Sequence, residues 1–304
     1  MLEITVQSGN WYNEEEPEES FRFIRECGFE GIDYNIGKFL MTAQIREGEQ
    51  SSFYNQSIEE MLEYYKPMKE AAKRNRIKIC QTHAPFPLYI MGKEDFNEYL
   101  LMVVDKTCAV CQFLDCPTVV VHPFIYHDKA VEKEVNLQMY RKMIPSAKKY
   151  GIKLCLENLF SNYKGHIIEG ACSDAEELCW YIDTLNAEAG EEMFGICLDT
   201  GHANLIGKNI CEYIKKIGER LTILHIHDNM GHKDSHLIPY TQDTPGGIDW
   251  DGFVEGLRHV GYTGALSFET FRGIDALPED VRMQGLKLVS SIGESFRRRI
   301  VEKV

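Results

Sequence analysis

The sequence predicts an α/β fold, a single closed (β/α)8 TIM barrel. Three observations carry that prediction: eight short apolar runs of strand character, amphipathic helical patterns between them, and glycines where those helices end. The runs cover residues 3–7, 31–35, 78–83, 118–122, 153–158, 194–199, 221–228 and 264–270. Several, such as TVVVH, KLCLE and LTILHIH, are nearly unbroken hydrophobic stretches. Strands covered on both faces of a parallel sheet read that way.

The helices between them have legible signals. Residues 57–74 place Ile58, Met61, Leu62, Tyr65, Met68 and Ala72 at helical spacing, and Ser57 with Glu60 forms a capping box. Ser173 or Asp174 caps the helix that carries Leu178, Tyr181, Ile182 and Leu185. Gly28, Gly151, Gly218 and Gly261 each separate a helix from the next strand, as in RECGFEG, KKYGIKL and RHVGYTG. No Gly/Ser-rich or Pro-rich linker divides the chain, so residues 1–304 read as one domain. Such barrels run to about 250 residues, which leaves room for insertions. Three long loops, residues 38–56, 161–172 and 229–249, all follow strands. They belong to the C-terminal face, where barrels build their sites.

The bulk properties narrow the function. The net charge of −14 gives no general attraction to nucleic acid, which disfavours a DNA or RNA partner. No apolar stretch reaches the ~20 residues of a membrane span. The opening residues MLEITVQSGN lack a basic segment followed by an apolar one, and a cytoplasmic enzyme is expected. The ten cysteines are then reduced. Cys80, Cys155 and Cys197 sit in strand-like runs as small core residues. The Cys108-x-x-Cys111 pair has no second pair of ligands nearby to make a zinc knuckle.

Chemistry is concentrated at the strand ends. His83 ends the third strand, His122 the fourth, Glu157 the fifth and Asp199 the sixth, with His202 three residues on. His225 and His227 end the seventh and Glu269 the eighth, while the loop after strand seven adds Asp234 and His236. Strand ends of a closed barrel converge on one mouth, so these groups must face each other. A single His there is usually a hydrogen-bonded structural residue. Several carboxylates crowded together, however, repel unless a cation balances them. The set therefore predicts a metal site. His225 and His227, two apart, share a face, and either could be the ligand.

These motifs resemble the xylose isomerase-like barrel superfamily, which includes sugar isomerases, sugar epimerases, related lyases and dehydratases, and endonuclease IV-type DNA repair enzymes. The resemblance runs over essentially the whole chain. Its carriers are His225-Ile226-His227-Asp228, Asp234-Ser235-His236, Thr244-Pro245-Gly246-Gly247, and the closing pattern from Ile248 through G-Y-x-G-x-x-x-x-E to Glu269. It implies one divalent ion held by Glu157, Asp199, His225 and Glu269, with Mn²⁺, Mg²⁺, Zn²⁺ or Co²⁺ suited to that oxygen-rich set. It also implies a small sugar or sugar phosphate as substrate and a homodimer. Glu157 and Glu269 would exchange a proton α to a carbonyl, and His202 would assist at a substrate oxygen. His83, His122, His202, His227, Asp234 and His236 would bind substrate or further metal. Trp11, Tyr12, Phe86, Phe124 and Trp250 are candidates to stack on a sugar ring, and Arg272 to bind a phosphate or carboxylate.

The chain departs from both enzyme types. Ketose 3-epimerases carry a Glu where Tyr163 stands and an Arg where Gly231 stands. The trinuclear zinc phosphodiesterase of the endonuclease IV type finds all nine ligand positions filled here. Yet the loops at residues 38–56 and 85–95 are not basic, because Lys38, Arg46 and Lys93 are offset by Glu47, Glu49, Glu94 and Asp95. A non-enzymatic sugar-binding barrel would require these ligand positions to be vestigial.

Overall fold

In the computed structural model, which describes residues 2–242 and 246–302, eight parallel strands follow one another around a barrel. They are β1 (Ile4–Gln7), β2 (Gly31–Tyr34), β3 (Lys78–His83), β4 (Thr118–Val121), β5 (Lys153–Glu157), β6 (Phe194–Asp199), β7 (Leu221–His225) and β8 (Leu266–Phe268). Strand β1 pairs with β8 through Ile4↔Leu266 to Val6↔Phe268, and Ile226 bridges to Phe268 across the β7–β8 seam.

Period-two alternation decides what faces inward. Along β5, Leu154 and Leu156 join the main core under the helices, while Cys155 turns into the barrel. Likewise Val120, Cys197 and Ile223 point inward from β4, β6 and β7 and form a small interior cluster with Cys155. Two residues further on, the inward positions are His122, Glu157, Asp199 and His225. The apolar barrel floor thus gives way to a polar layer at the mouth. All ten cysteines are free thiols.

The helix signals hold at atomic level. Helix Ile58–Asn75 starts at Ser57, whose side chain accepts from Glu60 N while the Glu60 carboxylate accepts from Ser57 N. Asp174, not Ser173, caps helix Ala175–Ala189. Gly28, Gly151, Gly218 and Gly261 all adopt positive φ.

Element edges and loops differ from expectation. Strand β7 ends at His225 instead of Asp228, because Asp228 turns away to pair with Leu237. Strand β4 stops at Val121 and β8 at Phe268, so His122 and Glu269 lie just beyond their strands. The expected loop at 38–56 contains helix Thr42–Glu47. The stretch 161–172 is largely a β-hairpin, Phe160–Tyr163 paired antiparallel with His166–Glu169. Its alternation is masked by polar residues, because the hairpin buries no continuous face. Thr244 and Pro245 lie outside the described residues. No helix among the described residues is long and apolar enough to cross a membrane.

Candidate functional site

Glu157, Asp199, His225 and Glu269 all reach the mouth as buried side chains. The His225 ring stands between two acidic groups. Its Nδ1 lies 3.5 Å from Glu157 Oε2 and 3.9 Å from Asp199 Oδ2, and its Nε2 lies 3.7 Å from Glu269 Oε1. His122 Nε2 approaches Glu157 Oε2 at 2.9 Å, and His202 Nδ1 approaches Glu157 Oε1 at 3.1 Å. His83 Nε2 lies 3.3 Å from Glu269 Oε1. His227, Asp234 and His236 form the outer part: His227 Nε2 is 3.0 Å from Asp199, and His236 Nε2 is 3.0 Å from Asp234 Oδ2. The rings of His227 and His236 stack at 4.0 Å.

Two features of this layer fit a cation. Among the described residues, five groups of donor atoms lie close together, each group within 4.8 Å. Glu157–Asp199–His202 and Asp33–His83–His225–Glu269 are among them. Several other polar atoms of this layer are buried without a hydrogen-bond partner: both ring nitrogens of His225, His122 Nδ1, His227 Nδ1 and Asp234 Oδ1. A buried polar group left unpaired costs about 1–3 kcal/mol, and a coordinated ion would satisfy several at once. Oxygen and imidazole donors suit Mn²⁺, Mg²⁺, Zn²⁺ or Co²⁺.

Without an ion, the imidazoles supply the balancing charge. Burial alone would lower the pKa of His225, but Glu269 and Glu157 reverse this and raise it to about 9. His202 rises to about 10 against the same burial effect, through Asp199 and Glu157. Conversely, burial would raise Glu157, yet His122 and His225 hold it well below the usual carboxylate range. Glu269 is held low by His225 and His83 in the same way.

Gly201, in the run Asp199-Thr200-Gly201-His202, makes the outer part sterically possible. A Cβ there would lie 2.0 Å from Cε1 of His227. The ring cannot retreat, since His236 stacks on it. Gly201→Ala is expected to displace His227 and to cost about 1–3 kcal/mol of stability. Thermal unfolding measures this, and an unchanged midpoint would remove Gly201 from the argument.

Sequence reasoning missed Asp33, Gln7 and Gln81. Asp33 is the penultimate residue of β2 and is fully buried, 2.8 Å from His83 Nε2. Gln7 Nε2 donates to Glu269 Oε1 at 3.4 Å, and Gln81 Nε2 to Asp33 Oδ2 at 3.0 Å. The signal for Asp33 is an acid next to the end of a short strand, comparable to Glu157 and Asp199 on β5 and β6.

The aromatic candidates need correction. Trp250 is only 3 % exposed, packs on Phe253 and Phe296, and donates from Nε1 to Asp228 Oδ2. Tyr12 is buried against Phe21 and Tyr34. Helix packing covers Trp250, which cannot stack on a sugar, while Tyr12 is mostly buried and only lines a hollow with Gln7, Lys38 and Phe271. Trp11 lines a separate hollow with Asn10, Phe23, Arg282 and Met283. Phe124 stacks on Tyr126. Phe86 does reach the cluster, 4.9 Å from the His122 ring. Phe160 and Phe271, not singled out from sequence, lie 5.1 Å from His202 and 4.6 Å from His236. Arg272 is tied to the site through Asp234, whose backbone oxygen accepts from its Nη1 at 3.2 Å. Tyr163 is exposed on the hairpin.

Comparison with known proteins decides the family. Residues 21–289 match the family described as xylose isomerase-like TIM barrel. The chain belongs to that family. It is similar to an inosose isomerase of Bacillus subtilis, 26% identical over 167 residues, or 53% of this chain and 56% of that protein. A probable endonuclease 4 of Mycoplasma capricolum is 23% identical over 226 residues, 68% of this chain and 72% of that protein. The crystal structure of a D-tagatose 3-epimerase-like protein superimposes with a TM-score of 0.68 at 21% identity, over 97% of this chain and 99% of the other. At that identity the superposition speaks for the fold.

Proposed function

We propose that this protein is a divalent-metal-dependent isomerase or epimerase of a sugar or sugar phosphate. The observation that carries the reading is the pair Glu157 and Glu269, two buried carboxylates on opposite edges of the His225 ring. The names of its relatives, an inosose isomerase and a D-tagatose 3-epimerase-like protein, support the same class. Glu157, Asp199, His225 and Glu269 would hold the ion, which supplies positive charge against negative charge developing on adjacent substrate oxygens.

The chain's own groups account for the proton. One of the two glutamates, as its carboxylate, removes the hydrogen α to the carbonyl and ends protonated; the other returns one only after taking a proton itself, from solvent or a neighbouring imidazolium. Both are ionised at neutral pH, because the neighbouring histidines favour the carboxylate form. His202, with Nδ1 near Glu157, assists at a substrate oxygen. Phe86, Phe160 and Phe271 stand beside His122, His202 and His236 and offer apolar faces to a sugar's C–H groups.

A second reading, a trinuclear zinc phosphodiesterase, draws on the presence of His83, His122, His202, Asp234 and His236 in the same mouth. Metal analysis of the purified protein separates the two. One ion per chain, with deuterium uptake into a ketose from heavy water, supports the isomerase. Three zinc ions per chain with nicking of an abasic duplex overturns it.

A further inference from the structure

Asp33 belongs to none of the ligand positions expected from the sequence, yet it stands among metal-capable atoms. It is the penultimate residue of β2 and has no exposed surface. One donor atom from each of Asp33, His83, His225 and Glu269 lies within 4.8 Å of the other three, and all four residues are buried. Asp33 and Glu269 thus bring two carboxylates into one space, and anions so close repel unless a cation balances them.

The spacing fits coordination. His83 Nε2 lies 2.8 Å from Asp33 Oδ2 and 3.3 Å from Glu269 Oε1. His225 Nε2 lies 3.6 Å and 3.7 Å from the same two oxygens. Ligands around a tetrahedral zinc, bonded at about 2.0–2.2 Å, stand about 3.3–3.6 Å from one another. Three of the four separations meet that range closely. The His83–Asp33 contact, a hydrogen bond in the metal-free protein, has only to open slightly. His225 Nε2 has no hydrogen-bond partner although the ring is buried. Neutral amides orient both carboxylates: Gln81 Nε2 donates to Asp33 Oδ2 at 3.0 Å, and Gln7 Nε2 to Glu269 Oε1 at 3.4 Å. Hydrogen bonds of this kind fix ligating carboxylates in place.

We propose a second divalent-cation site, formed by Asp33 Oδ2, His83 Nε2, Glu269 Oε1 and His225 Nε2. It goes beyond the one-ion reading above and rests on it only through the two shared residues, His225 and Glu269. Glu269 has a second oxygen for the first ion, and His225 has Nδ1, which faces Glu157 and Asp199. With both nitrogens ligated the ring is an imidazolate, its last N–H proton displaced by the second cation. Two cations that share donors repel each other, so this site fills after the first. Two oxygens and two imidazole nitrogens suit zinc or manganese.

The test titrates metal-stripped wild type, Asp33→Ala and Asp33→Asn with zinc in competition with a chromophoric chelator. The wild type should take up a second, weaker equivalent after the first. Both variants should lose that second equivalent and keep the first. Asp33→Asn preserves the shape of the side chain, which guards against misfolding of the alanine variant. Anomalous scattering from zinc-soaked crystals should place the second ion about 2.0–2.2 Å from Asp33 Oδ2. Wild-type uptake that stops at one equivalent overturns the proposal. So does a second equivalent that survives in both variants, or an ion that lies away from Asp33. A one-ion protein that still exchanges deuterium into a ketose keeps the isomerase reading and removes this site. Two ions without any exchange do the reverse.

Discussion

Replacing Glu157 or Glu269 by Gln should reduce proton transfer by roughly 10²- to 10⁴-fold, the usual contribution of a positioned acid–base group. Gln preserves the shape of the side chain but removes both the charge and the basic oxygen. It should also weaken ion binding, because each glutamate belongs to the proposed four ligands. The metal-free variants should be less stable than the metal-free wild type. Glu157 faces His122, His202 and His225, and Glu269 faces His83, His225 and His236. Removing either leaves buried imidazoles without a counter-charge, and breaking a buried ion pair commonly costs 3–5 kcal/mol. Ion content, thermal midpoint and deuterium uptake into a ketose are the three measurements. Two variants that keep their ion and exchange deuterium at the wild-type rate would refute the site.

Ion binding should release protons and tighten as pH rises. His225 titrates near 9 in the metal-free protein, so at pH 7 its ring is almost wholly protonated. A ligating imidazole must be neutral, and binding at pH 7 should therefore expel about one proton from His225. Calorimetry in two buffers of different ionisation heat reads this number directly. Stability should follow the opposite slope when no ion is present. A pKa raised in the folded state means extra stability that is complete below the unfolded value of about 6.5. That stability is lost as pH climbs through about 9 for His225 and about 10 for His202. The metal-free midpoint should accordingly fall between pH 6.5 and 10, while the ion-loaded protein gains over the same range. Absence of proton release at pH 7 would exclude His225 as a ligand.

Much of the site is legible in the sequence because of the barrel's geometry. Once eight strands alternate with helices, their C-terminal ends must converge, and polar residues ending apolar runs must meet. That argument places Glu157, Asp199 and His225 in one mouth without any knowledge of side-chain positions. The run Gly31-Ile32-Asp33-Tyr34 carries a comparable signal for Asp33, an acid near the end of a short strand. The aromatic candidates were less legible. Trp250 and Tyr12 lie near the mouth in sequence, but ring orientation depends on which helix packs over them. Phe160 and Phe271 reach the histidines through a hairpin and a one-turn helix that the sequence pattern does not announce.

What the sequence determined by itself is the barrel and the identity of its mouth, since hydrophobic periodicity sets strand faces and connectivity sets which ends converge. Only the tertiary structure decided how the donors are shared. It set His225 between two acidic groups, stacked His227 on His236 above Gly201, and turned Asp33 onto two imidazoles. Those relations depend on distances of a few ångströms across different strands, which no spacing within a single strand encodes.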